Sequence, residues 1–350
     1  MEGPLLGPLF FWLAPHLNRY NAEMKQYERR REAWSQYWAT GAMHSLQGSL
    51  PDRYEGNVRK FWEEFFLPLG QDHRVLELGT GNGALPALMC ELHPLGMPRV
   101  DAIDYASIAP KWLEDASPSC RESIAFHSNV LMESLPFAAS VFDLVAGQFA
   151  FEYADRSAAS REVVRVLKPG GMIALLLHAS HSQLGTVALA EAPLVDWLLQ
   201  KGGFMETAAQ IYRFAAIAST PDGRARLNVE PSAISARNSY NHAVRSLMEL
   251  AASSSVPDLL IETRTLVAGW VADAARSGNE ALARYRHAAY CRSLEESRLR
   301  SSELLTHALS EDAATALISE MRMAGLASAE VAPFFHENGA LIGWSLRGRK

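Results

Sequence analysis

The sequence predicts a doubly wound α/β fold, a mostly parallel sheet of seven strands whose last strand is antiparallel. Three observations carry that prediction. Strand-like and helix-like segments alternate from Arg74 to His178, the order that a parallel sheet with crossover helices produces. Some strands, such as Ile173-Ala174-Leu175-Leu176-Leu177, are apolar without alternation, as a strand covered on both faces requires. The C-terminus carries a hairpin signal, Asn338-Gly339 between two strand patterns, which calls for an antiparallel pair rather than another crossover.

In chain order, Asn18 to Trp38 reads as a helix with Tyr27, Trp34, Tyr37 and Trp38 on its later turns; Thr40 to Ser45 and Gly48 to Pro51 break it. A second helix, about Tyr54 to Leu67, shows Phe61, Trp62, Phe65 and Phe66 at helical spacing, a core-packing pattern. Strands are predicted at Arg74–Leu78, Arg99–Asp104, Ile124–Ser128, Val141–Ala146 and Met172–His178. Helices join them at Gly83–Leu92, Pro110–Ala116 and Ser157–Leu167, with a turn at Lys168-Pro169-Gly170-Gly171. The stretch from about Thr186 to His307 has little strand signal and is too long for a loop. Helices are expected there over Leu189–Leu199, Ala233–Ala252, Leu259–Ala275 and Glu280 to about Leu305. Ser310 caps a further helix to Met323, Gly325 stops it, and strands Glu330–Phe335 and Leu341–Leu346 follow. The expected organisation is an N-terminal helical cap (1–70), a cofactor-binding core (71–185 and 307–350) and a helical insertion (186–306) lying over the substrate site.

A chain of 350 residues can bury a large core, and its formal charge of −6 argues against a dedicated nucleic-acid binder. Arg29-Arg30-Arg31 is the one basic run weighed, and a solvated helix face explains it best. Cys90, Cys120 and Cys291 are odd in number and without close pairing. That suits separate thiols in a reducing, cytoplasmic setting rather than a disulfide framework or zinc site. Pro4 to Ala14 is apolar but too short to span a bilayer, so an arm packing on the body or on a second copy is expected. A homodimer through the helical regions is compatible with this pattern.

The chemistry centres on Val75-Leu76-Glu77-Leu78-Gly79-Thr80-Gly81-Asn82-Gly83-Ala84, a buried strand running through glycines into a helix N-terminus. The same residues satisfy the loose dinucleotide pattern, which leaves a nicotinamide-dependent oxidoreductase as an alternative. Glu77 argues the other way. Its charge would oppose a pyrophosphate and suits a ligand bearing an amino group or sulfonium. A phosphate-cradling Lys-Ser/Thr pair is absent after the glycines.

Together with Ile103-Asp104, Ser134-Leu135-Pro136-Phe137, Val141-Phe142-Asp143-Leu144-Val145 and Val166-Leu167-Lys168-Pro169-Gly170-Gly171, this stretch resembles the class I S-adenosylmethionine-dependent methyltransferases, a Rossmann-like family. The resemblance covers Arg74 to Ala179 and the C-terminal helix and hairpin. It implies S-adenosyl-L-methionine as cofactor and S-adenosyl-L-homocysteine as product. By position it assigns Glu77, Gly79, Thr80 and Gly81 to the methionine part, and Asn82 and Gly83 of the same turn to cofactor binding. It assigns Asp104 to the ribose hydroxyls, Tyr105 to adenine packing, Asn129 and Val130 to the adenine edge, and Gln148 with Phe149 to the methionine end. Asn129 departs from the Asp common at that place in the family.

Methyl transfer from a sulfonium mainly requires positioning, exclusion of water and, where needed, a base. Candidate bases belong at the C-terminal strand ends: Glu152 and Tyr153 after the fourth strand, His178 and His181 after the fifth. Imidazole takes a proton near neutral pH, which favours His178; a histidine satisfied by backbone groups is an equal reading. His44 has a weaker claim. Asn-Pro-Pro-Tyr and Asp-Pro-Pro-Tyr are absent after the fourth strand, where Ala146-Gly147-Gln148-Phe149 stands. No cysteine ends the fourth or fifth strand, and no metal-spaced carboxylates lie nearby. The expected acceptor is therefore a small or medium-sized organic molecule methylated on oxygen or nitrogen, with no metal. Trp34, Trp38 and Trp270 are candidates to line its pocket, core packing or a dimer contact being the stronger reading of each. A catalytically silent cofactor-binding subunit is the remaining alternative.

Overall fold

The computed structural model describes residues 27–45 and 54–350. The apolar arm Pro4–Ala14, the first turns of the Asn18–Trp38 helix and the break at Gly48–Pro51 lie outside them. Residues 27–39 are helical (α1) and precede α2 (Gly56–Phe66), whose aromatic stripe is buried at Phe61, Trp62, Phe65 and Phe66. The alternating region then delivers β1 (Arg74–Leu78), α3 (Ala84–Leu92), β2 (Arg99–Asp104), α4 (Pro118–Ser123) and β3 (Ile124–Ser128). β4 (Phe142–Gln148), α5 (Arg156–Val166) and β5 (Leu167–His178) complete the parallel part. After a helical segment come α12 (Glu311–Ala324), β6 (Ser328–Phe335) and β7 (Leu341–Arg349).

The strands form one sheet in the order β3-β2-β1-β4-β5-β7-β6. β1 to β5 pair in parallel, and β7 runs antiparallel to both β5 and β6. The fold is the Rossmann-like α/β sheet with a reversed last strand. Its order reverses at β1/β4, which opens a crevice at the carboxyl ends of those strands. Leu76, Leu78, Val145, Ile173 and Leu175 are fully buried, as unalternating strands between two helical layers must be.

Local chemistry explains most boundaries. Asp155 caps α5 by accepting from the Ala158 N–H, and Ser310 caps α12 by accepting from the Ala313 N–H. Gly325 ends α12 in the left-handed region. Two family-typical residues prove to be a structural pair. Lys168 Nζ donates to both oxygens of Asp143 at 2.9 and 2.8 Å, and Asp143 also accepts from the Arg74 N–H, tying β1, β4 and β5 together at their starts. This pairing, outweighing partial burial, holds the Asp143 carboxyl below its ordinary value.

Three expectations need correction. Residues Lys168 to Gly171 are not a turn ahead of a strand that starts at Met172; β5 runs from Leu167, and the glycines accompany a register shift against β4 between Phe142 and Leu144. Pro110 to Ala116 is a short 3-10 helix, Lys111–Asp115, with α4 added behind it. Cys90 on α3 and Cys120 on α4 are not separate thiols. They are joined as a disulfide, their Cα atoms 5.8 Å apart, because α3 of the β1-β2 connection and α4 of the β2-β3 connection bring these two positions together. That bond removes the ground on which a reducing compartment was expected. Cys291 is the free cysteine.

The chain divides into two units, one comprising Met1–Ser182 with His307–Lys350 and the other Gln183–Thr306. The second unit is all helical: α6 (Gln183–Leu199), α7 (Phe204–Ile217), α8 (Pro221–Leu227), α9 (Pro231–Ser253), α10 (Asp258–Ser277) and α11 (Glu280–His307), whose last residue alone counts with the first unit. α7 and α8 were not expected. α7 buries Phe204, Met205, Ala208, Ile211, Tyr212 and Ala215 on one face of a core that Leu247, Leu260, Val267 and Trp270 share. Among the described residues no helix is long and apolar enough to cross a membrane.

Candidate functional site

A cavity of about 320 Å³ opens at the carboxyl ends of β1, β2 and β4, the crevice that the sheet order creates. Its floor comes from the strand ends: Glu77, Gly79 and Thr80 after β1, Asp104 and Tyr105 after β2, Val130, Leu131, Met132 and Glu133 beyond β3, and Gln148, Phe149 and Ala150 after β4. Tyr27, Arg30, Trp34 and Trp38 of α1, with Met43, His44 and Tyr54, line it from the N-terminal segment.

Two carboxylates dominate the floor. Asp104 is buried; its Oδ2 accepts from the Gly81 N–H at 2.8 Å and its Oδ1 from the Ala106 N–H at 2.7 Å. Burial outweighs those bonds and pushes its carboxyl up to about 6. Glu77 accepts from the Thr80 hydroxyl. Burial, aided by the Asp104 charge and opposed by the Thr80 bond, raises it to about 8. Such a pair stays half-neutral near pH 7 until a cation or hydrogen-bond donors reach it.

This shift has a measurable consequence. A folded-state value above the unfolded one means that Glu77's contribution to stability is full below about 4.5 and is lost as pH rises through about 8. A ligand that needs the ionised carboxylate shows the opposite trend, its affinity falling by up to about tenfold per pH unit below that value. The increment in Tm from saturating S-adenosylhomocysteine is therefore expected to grow between pH 6 and pH 8, read by thermal unfolding. A flat or shrinking increment would remove Glu77 from the ligand's cationic end.

The turn between β1 and α3 is shaped for close approach. Gly79 (φ 65°) and Gly81 (φ 54°) occupy the left-handed region, where side chains are strained. A Cβ on Gly79 would lie 2.2 Å from the Ala150 Cβ, and one on Gly81 would lie 2.5 Å from the Trp38 ring. Asn82 fastens this turn to the N-terminal segment: its Nδ2 donates to the Trp38 and Ala42 carbonyls, both at 2.8 Å. Tyr105 donates its hydroxyl proton to the Tyr27 carbonyl, and its ring meets Tyr27 edge-on with centroids 4.7 Å apart.

The structure brings together Glu77, Gly79, Thr80, Asp104, Tyr105, Val130, Gln148 and Phe149 on the cavity wall. Gly81, Asn82, Gly83 and Asn129 are not on the wall. Gly81 and Asn82 act one step behind it, through Asp104 and Trp38, while Asn129 turns the chain at φ 60°. His178 and Glu152 are buried and paired, and neither lines the cavity. His178 Nδ1 donates to Glu152 Oε1 at 2.6 Å, and the His178 N–H donates to the same oxygen at 2.7 Å. A carboxylate only accepts, so Nδ1 carries the proton and Nε2 is the far nitrogen. That Nε2 is buried with no partner among the described residues. Phe149 stacks on the imidazole at 4.4 Å and Tyr153 meets it edge-on at 5.9 Å; both rings line the cavity. His181 is exposed and off the wall. Trp34 and Trp38 line the cavity, whereas Trp270 packs in the helical unit's own core.

Sequence reasoning missed Arg30, Met43, Tyr54 and the Leu131–Glu133 segment. One signal was present: Tyr27, Arg30, Trp34 and Trp38 fall on a single helical face. Among the described residues no group of three or more His, Cys, Asp or Glu side chains could hold a metal ion.

Two buried carboxylates at adjacent strand ends, beside left-handed glycines too tight for a Cβ, define a protein that binds a nucleoside cofactor with a cationic end. The residues fit S-adenosyl-L-methionine: Asp104 offers acceptors to ribose hydroxyls, Glu77 a carboxylate to an ammonium, and the glycines room for close backbone approach. Residues 76–175 match the family described as "Methyltransferase domain". Over residues 76–175 the chain is thus similar to a methyltransferase domain, and S-adenosyl-L-methionine is its cofactor.

No curated protein matches the sequence. Among solved structures, the [4+2]-cyclase SpnF is 24% identical over 35% of this chain and 45% of its own, with a TM-score of 0.31. The geranyl diphosphate C-methyltransferase from Streptomyces coelicolor A3(2) is 19% identical over 35% and 43%, with a TM-score of 0.29. An S-adenosyl-L-methionine-dependent methyltransferase described as putative, from Methanococcus maripaludis, is 20% identical over 40% and 64%, with a TM-score of 0.31. The matched part thus spans less than two thirds of each of these proteins.

Proposed function

We propose that the protein is an enzyme that transfers the methyl group of S-adenosyl-L-methionine to an oxygen or nitrogen atom of a small or medium-sized organic acceptor. The observation that carries this reading is the placement of Glu77 and Asp104 on the wall of one cavity that Tyr27, Trp34, Trp38, Tyr54, Phe149 and Tyr153 also line. When bound, the cofactor supplies a methyl group already activated on a sulfonium. The chain's own residues have the remaining tasks. Glu77 and Asp104 hold and orient the two ends of the donor, and the aromatic rings exclude water and favour positive charge. Trp34 and Tyr153, edge-on at 6.4 Å, offer an apolar face to an acceptor.

His178 is the proposed base. Glu152 fixes its tautomer as an orienting carboxylate does, leaving Nε2 as the nitrogen able to take a proton. It stands one ring behind the wall, so the role requires Phe149 or Tyr153 to shift when the acceptor enters.

Incubating the purified chain with methyl-labelled donor and fractionated small-molecule extracts tests the reading. Transfer of label to an organic-soluble or amine-containing fraction is expected. Tight binding of S-adenosylhomocysteine with no transfer to any fraction would favour a cofactor-binding subunit without activity of its own.

A further inference from the structure

We propose that Trp62, a core residue outside the cavity, is a positioning residue that fixes Gln148 as the hydrogen-bond donor to the carboxylate of the bound cofactor's amino-acid end. The inference rests on the cofactor reading and goes beyond it in naming the atom and the residue that aims it.

Trp62 lies on α2 with no exposed surface, stacked on Phe66 at 5.3 Å and edge-on to Phe61 at 4.9 Å. Packing on both sides leaves its indole little freedom. Its Nε1–H lies 2.6 Å from Gln148 Oε1. An indole nitrogen only donates, so the amide must present its oxygen to Trp62. The amide's other end is then decided. The Gln148 NH2 group cannot turn toward Trp62, and Gln148 lines the cavity.

Position selects the target. In the β1/β4 pairing Glu77 stands opposite Ala146 and Leu78 opposite Gly147, which sets Gln148 beside Gly79, where the chain leaves β1. An amino-acid end carries an ammonium and a carboxylate. Glu77 is suited to the ammonium and repels the carboxylate. The Thr80 hydroxyl is already donated to Glu77. The Gln148 amide is a neutral donor held at the next strand end, so it complements the negative group without neutralising Glu77.

The test is calorimetric titration of the full chain with S-adenosylhomocysteine and with its decarboxylated analogue, which keeps the adenosine, thioether and amine. Wild type is compared with Gln148→Leu, Gln148→Glu and Trp62→Phe. Gln148→Glu retains an acceptor for Trp62 while replacing the NH2 donor by an oxygen, so it separates donation from packing. The ratio of the two affinities is expected to fall by about 10- to 100-fold in both Gln148 variants, through loss of S-adenosylhomocysteine affinity alone. Trp62→Phe is expected to lower the same ratio in part, because the amide is then free to flip; loss of packing alone would weaken both ligands equally. An unchanged ratio in the Gln148 variants overturns the proposal while leaving the cofactor reading intact. Wild-type protein that binds neither ligand overturns both.

Discussion

Asp104→Ala is expected to weaken S-adenosylhomocysteine binding by at least about 100-fold, since two hydrogen bonds to a charged group contribute about 1.5–3 kcal/mol each. The carboxylate ends β2 at the sheet's crevice, and the Gly81 and Ala106 N–H groups hold both its oxygens in place. Each oxygen has lone-pair capacity beyond that single backbone bond, enough to accept from a vicinal diol. Asp104→Asn should fall between wild type and Ala, because an amide cannot accept from both backbone donors at once. Calorimetry reads both variants, and an Asp104→Ala protein with wild-type affinity would remove Asp104 from the site.

His178→Asn is expected to slow methyl transfer by about 10²- to 10⁴-fold, the usual worth of a positioned base, with S-adenosylhomocysteine affinity within about twofold of wild type. The Asn amide nitrogen can replace Nδ1 as donor to Glu152, so the buried carboxylate keeps its partner and only the Nε2 function is lost. The rate is measured on the acceptor recovered from labelled extract. An unchanged rate would make the His178–Glu152 pair a support for the Phe149 and Tyr153 rings and nothing more.

The strand spans around the site were close to legible in the sequence. Arg74–Leu78, Arg99–Asp104 and Ile124–Ser128 appear as read, because apolar runs bounded by charge and glycine leave a buried strand few alternatives. The boundary at Lys168 to Gly171 was misread for a physical reason. Proline and glycine signal a turn locally, but here the bulged start of β5 accommodates them. The Cys90–Cys120 bond was hidden because 30 residues of sequence separate the two and only the crossover returns them to each other. Trp62 read as core, and it is core; that its single donor aims an amide at the cavity depends on a neighbour 86 residues away.

The sequence by itself determined the α/β class, the reversed last strand, the glycine turn and the acidic residues at the ends of the first two strands. Each depends on local periodicity, local turn chemistry, or a charge at the end of a strand. The tertiary structure alone decided that α1 contributes a wall of the cavity, that Asn82 fastens it there, and that His178 and Glu152 meet. Those are contacts between segments far apart in the chain, and their geometry follows from packing rather than from any local pattern.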